Sequence, residues 1–184
     1  MELLTSVQFL PLYAVLFGTS MKIADLLDEH GMCWFREDKI VFGILWGVFG
    51  SLILLSGNAV ANLMIALLIH WILRFRIDYL NHGIAATLIL LTFVYNLSSF
   101  LLDNTLFLTI FIVYTFHGLL NDIADGKKVN RFWVKYFSLN SHYLTVPIIL
   151  TLINYVYWPV LVVSSLHVIS YEATKYIAAR HGYN

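Results

Sequence analysis

Two pairs of aspartates stand at a spacing of three residues, Asp25 with Asp28 and Asp122 with Asp125. Residues three apart lie on one face of a helix, so each pair presents two carboxylates together. Carboxylates that converge repel one another unless protons or cations neutralise them. Mg²⁺ binds carboxylate oxygens together with the phosphate oxygens of a substrate. The pairs therefore predict a shared Mg²⁺ site, and the alternative interpretation is that they are solvated helix ends.

Further polar residues recur at steps of four within apolar stretches, and one such stripe begins at His70 and ends at His82. We expect this stripe to lie on one helix, with Arg74 paired to Asp78. Ionisable groups in a membrane helix usually face the bundle interior and mark a ligand or ion path. The alternatives are hydrogen bonds between helices for the histidines and snorkelling for the arginine. The candidate ligand-binding residues from these stripes are His70, Arg74, Asp78, His117, Asn121, His167 and Lys175.

The elements that must hold these side chains are apolar. The chain has 184 residues, of which 60% are hydrophobic and 12% charged, and its mean hydropathy is +0.78. A soluble domain carries about 25% charged residues. The composition therefore predicts a polytopic integral membrane protein. The formal net charge of zero gives no indication of nucleic-acid binding, and the single cysteine excludes an internal disulfide.

Seven apolar segments follow one another along the chain. Backbone polar groups inside a bilayer are satisfied within helices, so we expect an all-α bundle of about seven transmembrane helices. Residues 1–184 are predicted to form one transmembrane domain, and the first segment to be a retained helix rather than a signal peptide. The segments are roughly 6–27, 39–56, 59–76, 84–101, 105–121, 143–157 and 160–178.

The basic residues fall on one side of this predicted bundle. When the seven segments are threaded through a membrane, all eleven lysines and arginines lie on the same side. The positive-inside rule places that side in the cytoplasm, so the N-terminus is outside and the C-terminus inside. We predict a multi-pass protein of the cytoplasmic membrane.

A shift of 97 residues aligns the two halves of the chain. It places Asp25 on Asp122, Asp28 on Asp125, and His70 on His167. The pattern predicts repeats at 6–83 and 103–182, with a linker helix at 84–101. An even number of crossings separates the halves, so they would be parallel repeats related by an axis along the membrane normal.

Glycines mark one side of the second segment. Gly43, Gly47 and Gly50 recur at a spacing that places them on one side of a helix. Small residues at such spacing let two helices approach closely. We expect this stripe to be a packing surface.

The stretch "NDIAD", residues 121–125, resembles the start of the Asp-rich motif of the UbiA family of intramembrane prenyltransferases. The resemblance implies an all-helical fold with one Asp-rich motif per half, at cytoplasmic helix ends, holding Mg²⁺ and an isoprenyl diphosphate. The metal-holding residues would then be Asp25, Asp28, Asp122 and Asp125. Arg131 would lie near the diphosphate. The chain departs from the family at Val129, where the motif has a further Asp, and at Lys22, which precedes Asp25.

Three functions fit these patterns. The first is a cytoplasm-facing acidic cavity that binds a divalent cation and a diphosphate or lipid, as in a UbiA-like prenyl transferase. The second is a small transporter or channel for a cation or small solute. The third is a non-catalytic membrane subunit. The expected partners are the lipid bilayer and an isoprenoid or phospholipid ligand, without nucleic acid, and a homo-oligomer is compatible with the sequence.

Overall fold

The computed structural model describes residues 5–126 and 142–183. These residues form seven α-helices and no strand. Three short 3₁₀ helices, at Val7–Phe9, Leu97–Ser99 and Tyr155–Tyr157, precede or follow them. The α-helices are α1 (Leu10–Glu29), α2 (Asp38–Leu55), α3 (Asn58–Leu73), α4 (Leu80–Tyr95), α5 (Asn104–Gly126), α6 (His142–Ile153) and α7 (Trp158–Arg180).

Each of the seven predicted segments corresponds to one helix, which confirms the all-α prediction. The expectation of one helix from His70 to His82 is wrong. Helix α3 ends at Leu73, and residues 74–79 form a turn before α4 begins at Leu80. Phe75 in this turn has φ of 54°, in the left-handed region that a continuing helix does not enter. The turn redirects the chain, so Asp78 and His82 are not on the same helix as His70.

Helix α3 is the most enclosed element. Residues 60–68 are all buried, so α3 is covered on every side, as expected for a helix that is apolar all round. It packs against α2 and α5, while α1 packs against α2 and α7, α2 against α4, and α6 against α7. Helices α1, α3, α5 and α7 finish at one end of the bundle, where α2 and α4 begin. This end, which we call the charged end, carries the ion pairs Lys39–Asp28 and Arg74–Asp122.

The glycine stripe on α2 is a packing surface, as predicted. A Cβ added at Gly43 would lie 2.9 Å from the Cα and carbonyl oxygen of Asn81 in α4. One added at Gly47 would lie 2.8 Å from Leu88, and one at Gly50 2.6 Å from Ile89. The three missing side chains therefore allow α2 and α4 to pack at close range.

Contacts between helices recur at the offset of 97 residues. Phe17 stacks edge-on against Trp46 with ring centroids 6.3 Å apart, and Tyr114 does the same with Tyr143 at 4.9 Å. Both partners of the second pair are 97 residues beyond those of the first. Such equivalent contacts are what an internal duplication in this register would produce.

Two of the described helical stretches are long and apolar enough to cross a bilayer, Val7–Glu29 and Asp38–Leu55. Four others are apolar but shorter, with 10–17 residues: Asn58–Leu73, Leu80–Tyr95, Asn104–Leu120 and Tyr143–Ile153. The described part of the chain thus contains two helices compatible with membrane insertion.

Candidate functional site

A cavity of about 490 Å³ opens at the charged end. It lies between the last turns of α1 and α7, the 74–79 turn and the start of α4. Its apolar part includes the aromatic rings of Trp46 and Trp71. Its charged lining residues are Lys22, Asp25, Glu29, Arg74, Arg76, Asp78 and Lys175. The cavity thus combines a charged mouth with an aromatic floor.

Asp25 is the best-bound carboxylate in this cavity. The Tyr171 hydroxyl donates to its Oδ2 at 2.7 Å, and His82 Nε2 lies 3.1 Å from its Oδ1. Lys22, one turn earlier on α1, is 3.9 Å away. These residues come from α1, α4 and α7, so the cluster joins three helices at one point. The side chain of Asp25 is 9% exposed, so the cluster is nearly closed to solvent.

The orientation of His82 is set by the start of α4. Its Nδ1 donates to the carbonyl oxygen of Arg76 at 3.0 Å and lies 3.1 Å from Asp78 Oδ1. The neighbouring Asn81 is fully buried and donates to the Ala24 carbonyl on α1 at 2.8 Å. The backbone of α4 is therefore tied to α1, and His82 Nε2 is directed at Asp25.

A second ion-pair cluster lies beside the cavity, around Asp122. Arg74 donates to both carboxylate oxygens of Asp122, at 2.9 and 2.6 Å, and Arg76 also pairs with it. Burial acts to raise the pKa of Asp122, but the two guanidiniums outweigh it and hold that pKa below its usual range. Arg74 also donates to His70 Nε2 at 3.0 Å. Gly118 leaves the room for this guanidinium, because a Cβ there would collide with it.

The structure brings some of the predicted ligand-binding residues together. Asp25, Arg74, Asp78 and Lys175 line the cavity. His167 lines a second cavity of about 90 Å³, which shares Met21, Trp71 and Tyr171 with the first. The predicted Arg74–Asp78 pair does not form, because Arg74 binds Asp122 while Asp78 faces His82.

Other predicted residues lie outside both cavities. Asp28 pairs with Lys39 at 2.6 Å, and His70 is buried between Arg74 and Thr115. His117 Nδ1 donates to the Val113 carbonyl on its own helix at 3.0 Å. Asn121 and Asp125 belong to α5, but their side chains, like the whole of Arg131, lie outside what the structure describes.

A protein Mg²⁺ site is built mainly from carboxylate and other oxygen ligands. Within residues 5–126 and 142–183, no group of three or more His, Cys, Asp or Glu side chains could hold a metal ion. Asp25 is engaged by Tyr171 and His82, and Asp122 is engaged by two arginines. This arrangement does not fit a centre shared by the two aspartate pairs. The Mg²⁺ site stays a prediction, and no chemical step is derived through it.

Comparison of the chain with protein-family models, curated proteins and solved structures gives no match. What the cavity can bind therefore follows from its own residues. Guanidinium and ammonium groups bind phosphate oxygens, and an aromatic floor accommodates an apolar chain. Both features occur within one cavity, which is also lined by the carboxylates Asp25, Glu29 and Asp78.

Three residues of this site were not among the sequence candidates: Lys22, Trp46 and Trp71. His82 ended the polar stripe that begins at His70, and Arg76, like Arg74, was a sequence candidate for phosphate binding. Lys22 carried a signal, because it and Asp25 are the only charged residues in the apolar segment 6–27. Tyr171 lay on the stripe between His167 and Lys175. The two tryptophans had no polar pattern to mark them.

Proposed function

We propose that this protein is a polytopic membrane protein that binds an amphiphile with a phosphate or diphosphate head group at its charged end. The observation that carries the proposal is the 490 Å³ cavity, in which Arg76, Lys175 and Lys22 stand over an apolar floor of Trp46 and Trp71. By the positive-inside rule this end faces the cytoplasm.

The outer surface of the bundle supports membrane insertion. Leu108, Ile112 and Phe116 follow one another at four-residue steps on α5 and are 50%, 59% and 59% exposed. Leu90 and Leu91 on α4 are 45% and 60% exposed. In a bilayer, these exposed apolar side chains would contact lipid instead of water.

The cations of the cavity differ in their availability to a ligand. Arg74 has a 7% exposed side chain and is committed to Asp122. Arg76 and Lys175 stand at the mouth with side chains 49% and 55% exposed, and each also has an acidic partner, Asp122 for Arg76 and Glu172, at 3.9 Å, for Lys175. Arginine offers two parallel N–H donors to a phosphate, and lysine a compact charge. The mouth residues therefore suit a head group that enters from the aqueous side.

A UbiA-like transferase is the finer form of this proposal. Such a reaction would break the C–O bond of an allylic diphosphate, join the prenyl carbon to a nucleophile of the acceptor substrate, and release inorganic diphosphate with the electron pair of the broken bond. This chain's own contribution would be to bind the head through Arg76 and Lys175 and to keep water from the tail with Trp46 and Trp71. Release of inorganic diphosphate from farnesyl diphosphate, followed with and without Mg²⁺, tests this step.

The binding proposal is tested by thermal unfolding of the purified protein in detergent. We expect the midpoint to rise with farnesyl diphosphate and much less with farnesol, because a ligand that binds only the folded state stabilises it. Arg76→Gln combined with Lys175→Gln should reduce the rise, while Arg36→Gln, an exposed arginine away from the cavity, should not. Equal shifts with the diphosphate and the alcohol would contradict the proposal.

A transporter is the second candidate. The 90 Å³ cavity adjoins the first and extends the lining to Tyr143 and His167, toward the interior of the bundle. Tyr143 also lies 3.5 Å from His70, so polar groups of both halves meet there. Flux of a cation or small solute into proteoliposomes, abolished in His167→Phe, would favour this function over binding alone.

A further inference from the structure

Lys22 is a buried cation whose acceptors within residues 5–126 and 142–183 lie at long range. Its side chain is 6% exposed and it lines the cavity on α1. Its Nζ lies 3.5 Å from the Tyr171 hydroxyl, 3.9 Å from Asp25 Oδ2 and 5.1 Å from the centroid of the Tyr171 ring. Charge-assisted N–H···O bonds are normally about 2.7–2.9 Å. A buried ammonium normally has such acceptors, because leaving a buried charge unpaired costs free energy.

The carboxylate equivalent to Asp25 in the second repeat, Asp122, is paired with a cation at short range. Asp122 and Arg74 stand 97 residues from Asp25 and Tyr171, and both pairs form hydrogen bonds, at 2.6 and 2.7 Å. At Asp122 the partner is the cation Arg74, contributed by the first repeat, which fills the space beside Gly118. At Asp25 the equivalent partner is Tyr171, contributed by the second repeat, which is neutral and lines the open cavity.

The residues that precede Asp25 and Asp122 on their helices also differ between the two repeats. Lys22 corresponds to Leu119, an apolar residue that is 48% exposed and has no charge that requires a partner. Met21 corresponds to Gly118, which is small because Arg74 occupies the space. The site at Asp122 is thus closed by Arg74 from the other repeat, and the site at Asp25 presents an extra cation, Lys22, to the cavity.

We infer that Lys22 binds the anionic head of the ligand and that each chain holds one such head group, at the Asp25 half. This inference rests on the proposed function and identifies Lys22 as the residue that binds the head group inside the cavity. The recognised group is a phosphate monoester or diester oxygen, placed between Lys22 and the mouth cation Arg76. Tyr171 and Asp25 hold the ammonium in position without neutralising it through a short bond.

The test measures the dissociation constants of four probes for the full chain in detergent: farnesyl phosphate, a dioleoyl phosphatidic acid, inorganic phosphate and farnesol. We expect Lys22→Met to weaken the two phosphate amphiphiles about 10- to 100-fold, the effect of losing one hydrogen bond between charged groups. Farnesol affinity should be unchanged. Which amphiphile binds more tightly distinguishes an isoprenoid from a phospholipid, and tight binding of inorganic phosphate alone would indicate a soluble ligand.

Two variants make the result specific. Lys22→Arg keeps the charge and should retain most of the affinity, and Lys22→Gln provides a second neutral variant if Lys22→Met does not fold. Leu119→Met, at the equivalent position of the other half, should leave all four dissociation constants unchanged. Native mass spectrometry should show one phosphate amphiphile per chain.

The outcomes separate this inference from the proposed function. Wild-type affinity for phosphate amphiphiles in folded Lys22→Met or Lys22→Gln would overturn the role of Lys22 while leaving the cavity as a binding site. Binding of two head groups per chain would overturn the closure of the second half. A wild-type protein that prefers none of the phosphate probes to farnesol would overturn both.

Discussion

Arg74 carries a positive charge into the bundle, and Asp122 is the carboxylate that pairs with it. In Asp122→Asn the guanidinium, whose side chain is 7% exposed, loses its counter-charge. We expect the free energy of unfolding to fall by about 2–3 kcal/mol, the value of a hydrogen bond between charged groups. Denaturant titration in detergent measures this. Glu37→Gln is the matched control, because its partner Arg36 is 95% exposed, and it should change stability by less than about 0.5 kcal/mol.

The same pair predicts a pH dependence. The pKa of Asp122 lies below its unfolded value of about 3.9, since Arg74 and Arg76 outweigh the effect of burial. Its contribution is therefore fully present above the unfolded pKa and is lost as pH falls through the folded pKa. The difference in unfolding midpoint between wild type and Asp122→Asn should be constant from about pH 5 to 7 and shrink below about pH 4. If the difference in unfolding midpoint between wild type and Asp122→Asn vanished by pH 6, a group other than Asp122 would control its pH dependence.

At the scale of elements, the contact between α2 and α4 positions the site. A Cβ at Gly43 would lie 2.9 Å from the backbone of Asn81, the residue before His82. Gly43→Ala should therefore separate the helices, lower the free energy of unfolding by about 1–3 kcal/mol and weaken ligand binding. Gly83→Ala is the control, since its Cβ would meet nothing within 4 Å. Equal stability of the two variants would contradict this role for the glycine stripe.

The helices were predictable from the sequence, but the side-chain pairs that join them were predictable only in part. Local composition and spacing predict the apolar segments and the packing role of the Gly43 stripe. The structure contains a helix at each segment and close contacts at these glycines. The Arg74–Asp78 pair was expected from a four-residue step, but Phe75 turns the chain between them. Arg74 instead reaches Asp122, 48 residues away. Such a partner depends on how α3 and α5 pack, which the local pattern does not specify.

The 97-residue offset was the most informative sequence pattern for the site. It aligned Asp25 with Asp122, and the structure places a hydrogen-bonding partner on each, Tyr171 and Arg74, that are also 97 apart. The offset did not indicate that the two halves differ in function. That difference comes from substitutions at positions 22 and 118, whose significance depends on the space around them.

At the scale of the whole molecule, the proposed topology places Cys33 in the cytoplasm. It is the chain's single cysteine and is exposed, between α1 and α2. A membrane-impermeant maleimide should label it in inside-out vesicles and not in intact cells. In a Cys33→Ser background, Asn104→Cys, at the opposite end of the bundle, should show the reverse. Labelling of Cys33 from outside would invert the topology and move the cavity to the other face.

We propose that the cavity at the charged end holds an anionic amphiphile. Photolabelling tests it most directly, with a farnesyl phosphate analogue that carries a diazirine at the tail end, followed by peptide mapping. We expect adducts on the cavity floor, at Trp46, Leu68, Trp71 or Ile89, that unlabelled farnesyl phosphate suppresses and farnesol does not. Adducts confined to the exposed face of α5, at Leu108, Ile112 and Phe116, and insensitive to competitor would contradict it.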